Sequence, residues 1–222
     1  MEPVSSTRNQ HVVRAARLHR ARGRREAGAT LLEGPHILAE AVTSGAAVTD
    51  VFGLADDAVA RSLASDAGAR WIPVSEPVLR KIADTDNPRG PVAIVDIPDE
   101  PTIADDRVWL DTSDPGNAGT LIRTAAAFGF GVTIDAGAVD PWSPKVVRAA
   151  AGGHFRIPIS LGTPGDAYTI AAVVGGGVPL TELADHLPAS KPVCLLVGNE
   201  AHGLPTSLIE SSDLSVSIPM VG

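Results

Sequence analysis

The sequence predicts an α/β protein of two domains, the second built on a mostly parallel sheet. Three observations lead there. Short apolar runs alternate with amphipathic stretches along most of the 222 residues. The run at residues 193–197, Val-Cys-Leu-Leu-Val, is continuously apolar, as a strand covered on both faces must be. Aromatic residues are only 4% of the chain, so the core must be Ala, Val, Leu and Ile, which favours α/β layers over an aromatic-rich sandwich.

Taken in order, residues 8–20 predict a helix, with Val12, Val13, Ala16 and Leu18 as an imperfect apolar stripe beside arginines. Gly34-Pro35 opens a helix to about residue 45, and residues 48–52 read as a strand. Asp56-Asp57 caps a helix to about residue 67. Residues 70–73 are a strand, 75–82 a helix and 91–95 a strand. Residues 96–106, DIPDEPTIADD, hold two prolines and five acids and read as a linker. The pattern then restarts, with strands at 108–111, 132–134 and 155–159 and helices at 117–128 and 144–151. Residues 170–174 fit either helix or strand. After the strand at 193–197 come a short helix at 205–210 and a last strand at 214–218. The domains so defined are 1–96 and 107–222, joined by 97–106.

The single cysteine, Cys194, rules out an intrachain disulfide and a cysteine metal cluster, and suits a cytoplasmic address. Met1-Glu2-Pro3-Val4 opens no signal-peptide hydrophobic stretch. The longest uncharged run, residues 167–181, holds three glycines and a proline and is too short to span a bilayer. Net charge is −8, unevenly spread: residues 1–25 carry seven arginines against one glutamate, while the rest carry 11 cations against 25 acids. Arginine without lysine suits phosphate recognition, although a solvated terminal helix has the same composition.

None of the three lysines follows a glycine in a phosphate-loop pattern, and there is no G-x-G-x-x-G after a strand, no H-E-x-x-H, no C-x-x-C and no G-x-S-x-G. Three segments at the carboxyl ends of predicted strands remain, where open α/β sheets bind ligands. In DPGNAGTLIRTA, residues 114–125, Asn117 is placed to cap a helix. Arg123 follows nearly two turns later, which suggests that the pair sits near one face. In LLVGNEAHGL, residues 195–204, Gly198 permits a close backbone approach to a ligand, and Glu200 and His202 project from the turn. The third segment is SIPMVG, residues 217–222.

Together, and in this order, these segments resemble the three signature motifs of the SpoU (TrmH-type) RNA 2′-O-ribose methyltransferases of the SPOUT class. The stretch VDPWSPKVVRAAAGGHFRIPI, residues 139–159, is similar to that family's sequence between its first two motifs. RREAGATLLEG (24–34) and TDNPRGPVAIV (85–95) are similar to its N-terminal substrate-binding extension. The resemblance implies a ribosomal-protein-like α/β RNA-binding domain followed by a trefoil-knotted SPOUT domain. It implies S-adenosylmethionine as cofactor, held by backbone around Leu196, Val197, Gly198, Ile218 and Met220. Asn117, Arg123 and Glu200 match the family's polar active-site positions, and Arg20, Arg22, Arg24 and Arg25 become RNA contacts. It further implies a homodimer with a shared site, no metal and no membrane. The RNA favoured is ribosomal (23S), with transfer RNA as the second choice. In the family the third motif runs on beyond the equivalent of Gly222 into a Ser-Leu-Asn segment and a helix, so an extension past residue 222 is expected. The rival is a non-catalytic RNA-binding protein that keeps the fold. Intact Asn117, Arg123 and Glu200 count against it.

Overall fold

A computed structural model describes residues 2–88, 90–98 and 105–219. The chain divides into two compact units: Met1–Glu100 with Asp140–Arg156, and Pro101–Val139 with Ile157–Gly222.

Unit 1 opens with α1 (Gln10–Arg17), capped by Asn9, whose side chain accepts from the His11 amide. A second helix, α2 (Ala21–Ala27), follows and ends at Gly28 in the left-handed region, φ 57°. The helix expected over 8–20 is α1, shorter at both ends, and α2 was not anticipated. Gly23 is what lets them close up, since a Cβ there would lie 2.1 Å from the Arg17 carbonyl oxygen. The basic segment is thus folded structure, with Val12, Ala15 and Leu18 buried in a core.

The sheet of unit 1 contains β1 (Ala29–Glu33), β2 (Val48–Gly53), β3 (Arg70–Pro73) and β4 (Val92–Asp96), in the order β1-β4-β2-β3. β4 pairs antiparallel with both β1 and β2, and β3 runs parallel to β2. The helices α3 (Pro35–Thr43), α4 (Ala58–Asp66) and α5 (Glu76–Ile82) lie near their expected places. The strand pleat sends neighbours to opposite faces: Leu31 and Phe52 join the core that holds α1 and α5, while Leu32 and Val51 join the core that holds α3 and α4.

That second core is completed by residues 140–156. Their helix, α7 (Pro144–Ala149), places Val147 among Leu32, Leu38 and Ala41, with Trp142 and Phe155 packed against the same cluster. Polar contacts fasten the segment: Thr30 Oγ1 donates to the Trp142 carbonyl at 2.5 Å, and Arg148 and Arg156 pair with Asp84 and Glu40. The strand expected at 155–159 is instead a 3₁₀ turn, Gly153–Phe155, and a strand only from Ile159. His154 and Phe155 are held there by tilted ring contacts with Trp142, so their burial comes from aromatic packing, not a sheet.

Unit 2 is a seven-stranded sheet in which every pairing is parallel. Its strands are β5 (Arg107–Leu110), β6 (Gly131–Ile134), β7 (Ile159–Leu161), β8 (Tyr168–Val173), β9 (Val178–Pro179), β10 (Val193–Val197) and β11 (Leu214–Ser217), in the order β7-β6-β5-β10-β8-β11-β9. The ambiguous stretch near 170 is strand. α6 (Pro115–Phe128) and α8 (Thr206–Glu210) are its α-helices. Among the described residues no helix is long and apolar enough to cross a membrane.

Candidate active site

β5 and β10 are neighbours with Leu110 opposite Val197, so the loops that leave their carboxyl ends start side by side. The first loop carries Thr112 and leads into α6. Asp114, not Asn117, caps this helix: its Oδ1 accepts from the Asn117 amide at 2.8 Å, with Pro115 at the first helical position. Asn117 lies inside the first turn, which frees its carboxamide for other work.

The second loop closes on itself. Asn199 and Gly203 exchange backbone hydrogen bonds at 3.2 and 2.8 Å, and the Asn199 side chain accepts from the Ala201 amide. Gly198 is bare because the turn folds back over it, since a Cβ would lie 2.3 Å from the Leu204 amide nitrogen. The close approach inferred from sequence is thus made by the chain's own backbone. Gly203 takes the left-handed conformation that finishes the turn, φ 68°.

The loop tip presents Glu200. Its Oε1 accepts from Thr112 Oγ1 at 2.5 Å and from Asn117 Nδ2 at 2.6 Å. These donors, Thr112 first, hold the carboxyl below the ordinary glutamate range. Glu200 is therefore a stable anion that fixes Asn117. With Nδ2 engaged, the Asn117 carbonyl oxygen is left to accept a hydrogen bond from a bound hydroxyl. Cys194 lies buried in the strand below, its thiol pushed up to about 11, which makes it unreactive.

Residues 107–222 match the profile described as the SpoU rRNA Methylase family, and residues 9–93 match the MRM3-like substrate binding domain. The chain belongs to the SpoU rRNA methylase family. The 23S rRNA (guanosine(2553)-2'-O)-methyltransferase RlmP of Bacillus subtilis is 30% identical over 230 residues, spanning 100% of this chain and 92% of its own. A 23S rRNA (uridine(2479)-2'-O)-methyltransferase of Streptomyces viridochromogenes is 33% identical over 122 residues, 50% of this chain and 42% of its own. Among solved structures, an AdoMet-bound rRNA methyltransferase from Sinorhizobium meliloti superposes with a TM-score of 0.80 at 28% identity, covering 100% of this chain and 90% of that one. The SpoU methyltransferase AviRb from Streptomyces viridochromogenes, in complex with AdoMet, gives 0.80 at 26% identity, covering 96% and 90%.

Of the residues singled out by the SpoU resemblance, Asn117 and Glu200 are brought together and Arg123 is not. Six residues on a helix turn through 600°, which leaves Asn117 and Arg123 about 120° apart and about 9 Å along the axis. They flank the buried stripe of Ala118, Ile122 and Ala125 from opposite sides, correcting the expectation of a shared face. Arg123 is exposed and makes no hydrogen bond or ion pair among the described residues. Leu196 is fully buried in the core of unit 2, so only its backbone is offered to a ligand, while Ile218 is exposed at the end of β11. Met220 lies outside the described residues. Among the arginines of the basic segment, Arg24 needs correction. It is 4% exposed, its Nη1 donates to the Leu18 carbonyl at 2.8 Å, and its fork closes on Asp140. That leaves it no edge for a phosphate. Arg22 pairs with Glu26 on the surface, and Arg20 and Arg25 are exposed. Thr112 went unnoticed in the sequence. A hydroxyl residue just past a predicted strand was its only signal.

Proposed function

We propose that this chain transfers a methyl group from S-adenosylmethionine to a ribose 2′-hydroxyl of ribosomal RNA, with 23S rRNA as the target. The observation that carries the reading is the Thr112–Glu200–Asn117 constellation, which ties two family motifs together at the carboxyl end of a parallel sheet. The relatives' names supply the substrate class.

The surroundings suit the cofactor. Exposed apolar side chains follow the ends of β8 and β11, at Val174 and Ile218, on the same edge of the sheet as the anionic Glu200. An apolar patch beside fixed polar groups fits a ligand with an aromatic base and a charged end. Backbone at 196–198 and Ile218 would hold it, and it supplies an electrophilic methyl carbon. The chain must then align the attacking hydroxyl and help remove its proton. Asn117, steadied by Glu200, orients the hydroxyl. The cationic fork of Arg123 grips the phosphate beside the target ribose and polarises the hydroxyl.

Arg123 stands on the far flank of α6 from Asn117, which favours a homodimer in which one copy's arginine serves the other's site. The trefoil knot, the cytoplasmic setting and RNA contacts by Arg20, Arg22 and Arg25 belong to the same reading. Incubation with isotopically labelled S-adenosylmethionine and protein-free 23S rRNA, followed by mapping of 2′-O-methylation, tests it. One labelled, alkali-resistant position is expected. Strong RNA binding with no transfer would favour the non-catalytic reading.

A further inference from the structure

A cluster of cations is assembled in unit 1, away from the segment at 20–25. Asp50 on β2 and Arg70 on β3 are Cα partners in the parallel register. By strand alternation they share the face of Phe52 and Ile72, where α1 packs through Val12 and Ala15. His11 and Arg14 each precede one of those two buried residues, which brings them to the same carboxylate. Arg14 Nη1 donates to Asp50 Oδ2 at 2.9 Å, and Arg70 Nη1 and His11 Nδ1 lie 3.6 and 3.9 Å from Oδ1. Arg70 Nη1 also donates to His11 Nδ1 at 3.2 Å, which ties the ring to the same cluster.

A buried carboxylate needs a cation, and a structural ion pair would satisfy it with one. Two further features go unexplained on that account. Asp50 is 2% exposed with Oδ1 making no hydrogen bond, yet Arg14 and Arg70 are 45% and 61% exposed. Two fixed positive charges meet one negative, so a surplus cation faces solvent on a chain of net charge −8. Among the described residues no other group binds either guanidinium, so most of their N–H donors stay available. A half-anchored, half-exposed guanidinium fork matches the oxygens of a phosphodiester.

We propose that Asp50 holds Arg14 and Arg70, with His11 beside them, as a phosphate-binding cluster for the backbone of the RNA substrate. All four residues fall within the stretch that matches a substrate-binding domain. The choice of RNA as ligand rests on the function proposed above, and Asp50 is a positioning residue that touches no RNA itself.

The test measures binding to protein-free 23S rRNA over a range of salt, without cofactor, and then steady-state methylation. Arg14→Gln with Arg70→Gln removes both charges but keeps N–H donors for Asp50. At least a tenfold rise in Kd is expected, with a log–log salt slope shallower by about 1.4, roughly 0.7 per lost contact to single-stranded RNA. KM for RNA should rise with kcat unchanged. Arg61→Gln with Arg80→Gln removes two exposed charges of the same unit and should change Kd much less. Equal losses in the two pairs, or an unchanged slope in the first, overturn the cluster. If the first pair melts early, adding Asp50→Asn removes the stranded charge, and the folded triple variant should show the same loss. Asp50→Asn alone makes the chain less acidic, so simple attraction would tighten binding, while loss of positioning weakens it. Equal or tighter binding overturns the role of Asp50. If the wild type binds rRNA but transfers no methyl, and the double variant loses binding, the cluster stands and the enzymatic reading falls. If the double variant keeps its Kd and methylates normally, the cluster falls and the enzymatic reading stands.

Discussion

Glu200 and Arg123 divide the work of the site by charge, and each can be tested alone. Arg123 makes no hydrogen bond or ion pair among the described residues, so Arg123→Ala should leave the fold and cofactor affinity unchanged while kcat falls by at least about 100-fold. Full turnover in that variant would remove Arg123 from the mechanism. Glu200 is depressed by its two donors, so it loses its charge at lower pH than an ordinary glutamate. Glu200→Gln removes that anion, so kcat should fall and the acid limb that Glu200 contributes should disappear from the pH profile; an unchanged limb would assign it to another group. His154 behaves oppositely. It is buried and lowered to about 4, chiefly by desolvation, with the Pro141 carbonyl 2.8 Å from Nε2. The unfolded chain takes up a proton near 6.5 and the folded one does not. Stability is therefore complete above 6.5 and declines as pH drops toward 4, by about 3 kcal/mol. His154→Gln keeps a donor for Pro141 and should flatten that limb in thermal melts. An unchanged limb would place the loss elsewhere.

At the scale of the element, α6 links capping to chemistry. Asp114→Ala should cost about 1 kcal/mol, read as a lowered melting temperature. It also frees the Asn117 amide, so kcat should fall although Asp114 is not proposed to touch substrate. A variant that loses stability but keeps kcat would show that the first turn holds Asn117 unaided. The cap was misread at Asn117, although Asp114-Pro115, a capping acid followed by proline at the first helical position, was the stronger signal. Elements with a local signature were readable. Residues 70–73 and 193–197 are found as strands at the expected bounds. β1 was not, because Leu31 and Leu32 are both buried, one on each face, and leave no alternation to follow. The 3₁₀ segment Leu180–His186 buries nothing and so imprints no period. Glu200 was visible through its loop, but the Asp50 cluster was not, since it joins three elements whose residues are dozens of positions apart.

For the molecule as a whole, the proposed shared-site dimer predicts complementation. Asn117→Ala and Arg123→Ala should each be inactive. Mixed, unfolded and refolded together, they should recover about a quarter of wild-type activity, because half the dimers are mixed and each rebuilds one site. No recovery would place both residues in one chain's site. Residues 140–156 matter at the same scale. A fragment ending at residue 100 would lack α7 and leave Leu32, Ala41 and Val48 without Val147 and Trp142. It should be less stable than the same fragment supplied with a 140–156 peptide, and equal protection from proteolysis would contradict that. This arrangement has a consequence for synthesis. A ribosome making the chain releases the first hundred residues before the piece that closes them exists, and at about 5–20 residues per second the wait is roughly 3–11 s. The nascent N-terminal half must stay soluble through that interval with one core open. Codon usage or chaperone contact between positions 100 and 156 would therefore bear on yield more than the same changes elsewhere.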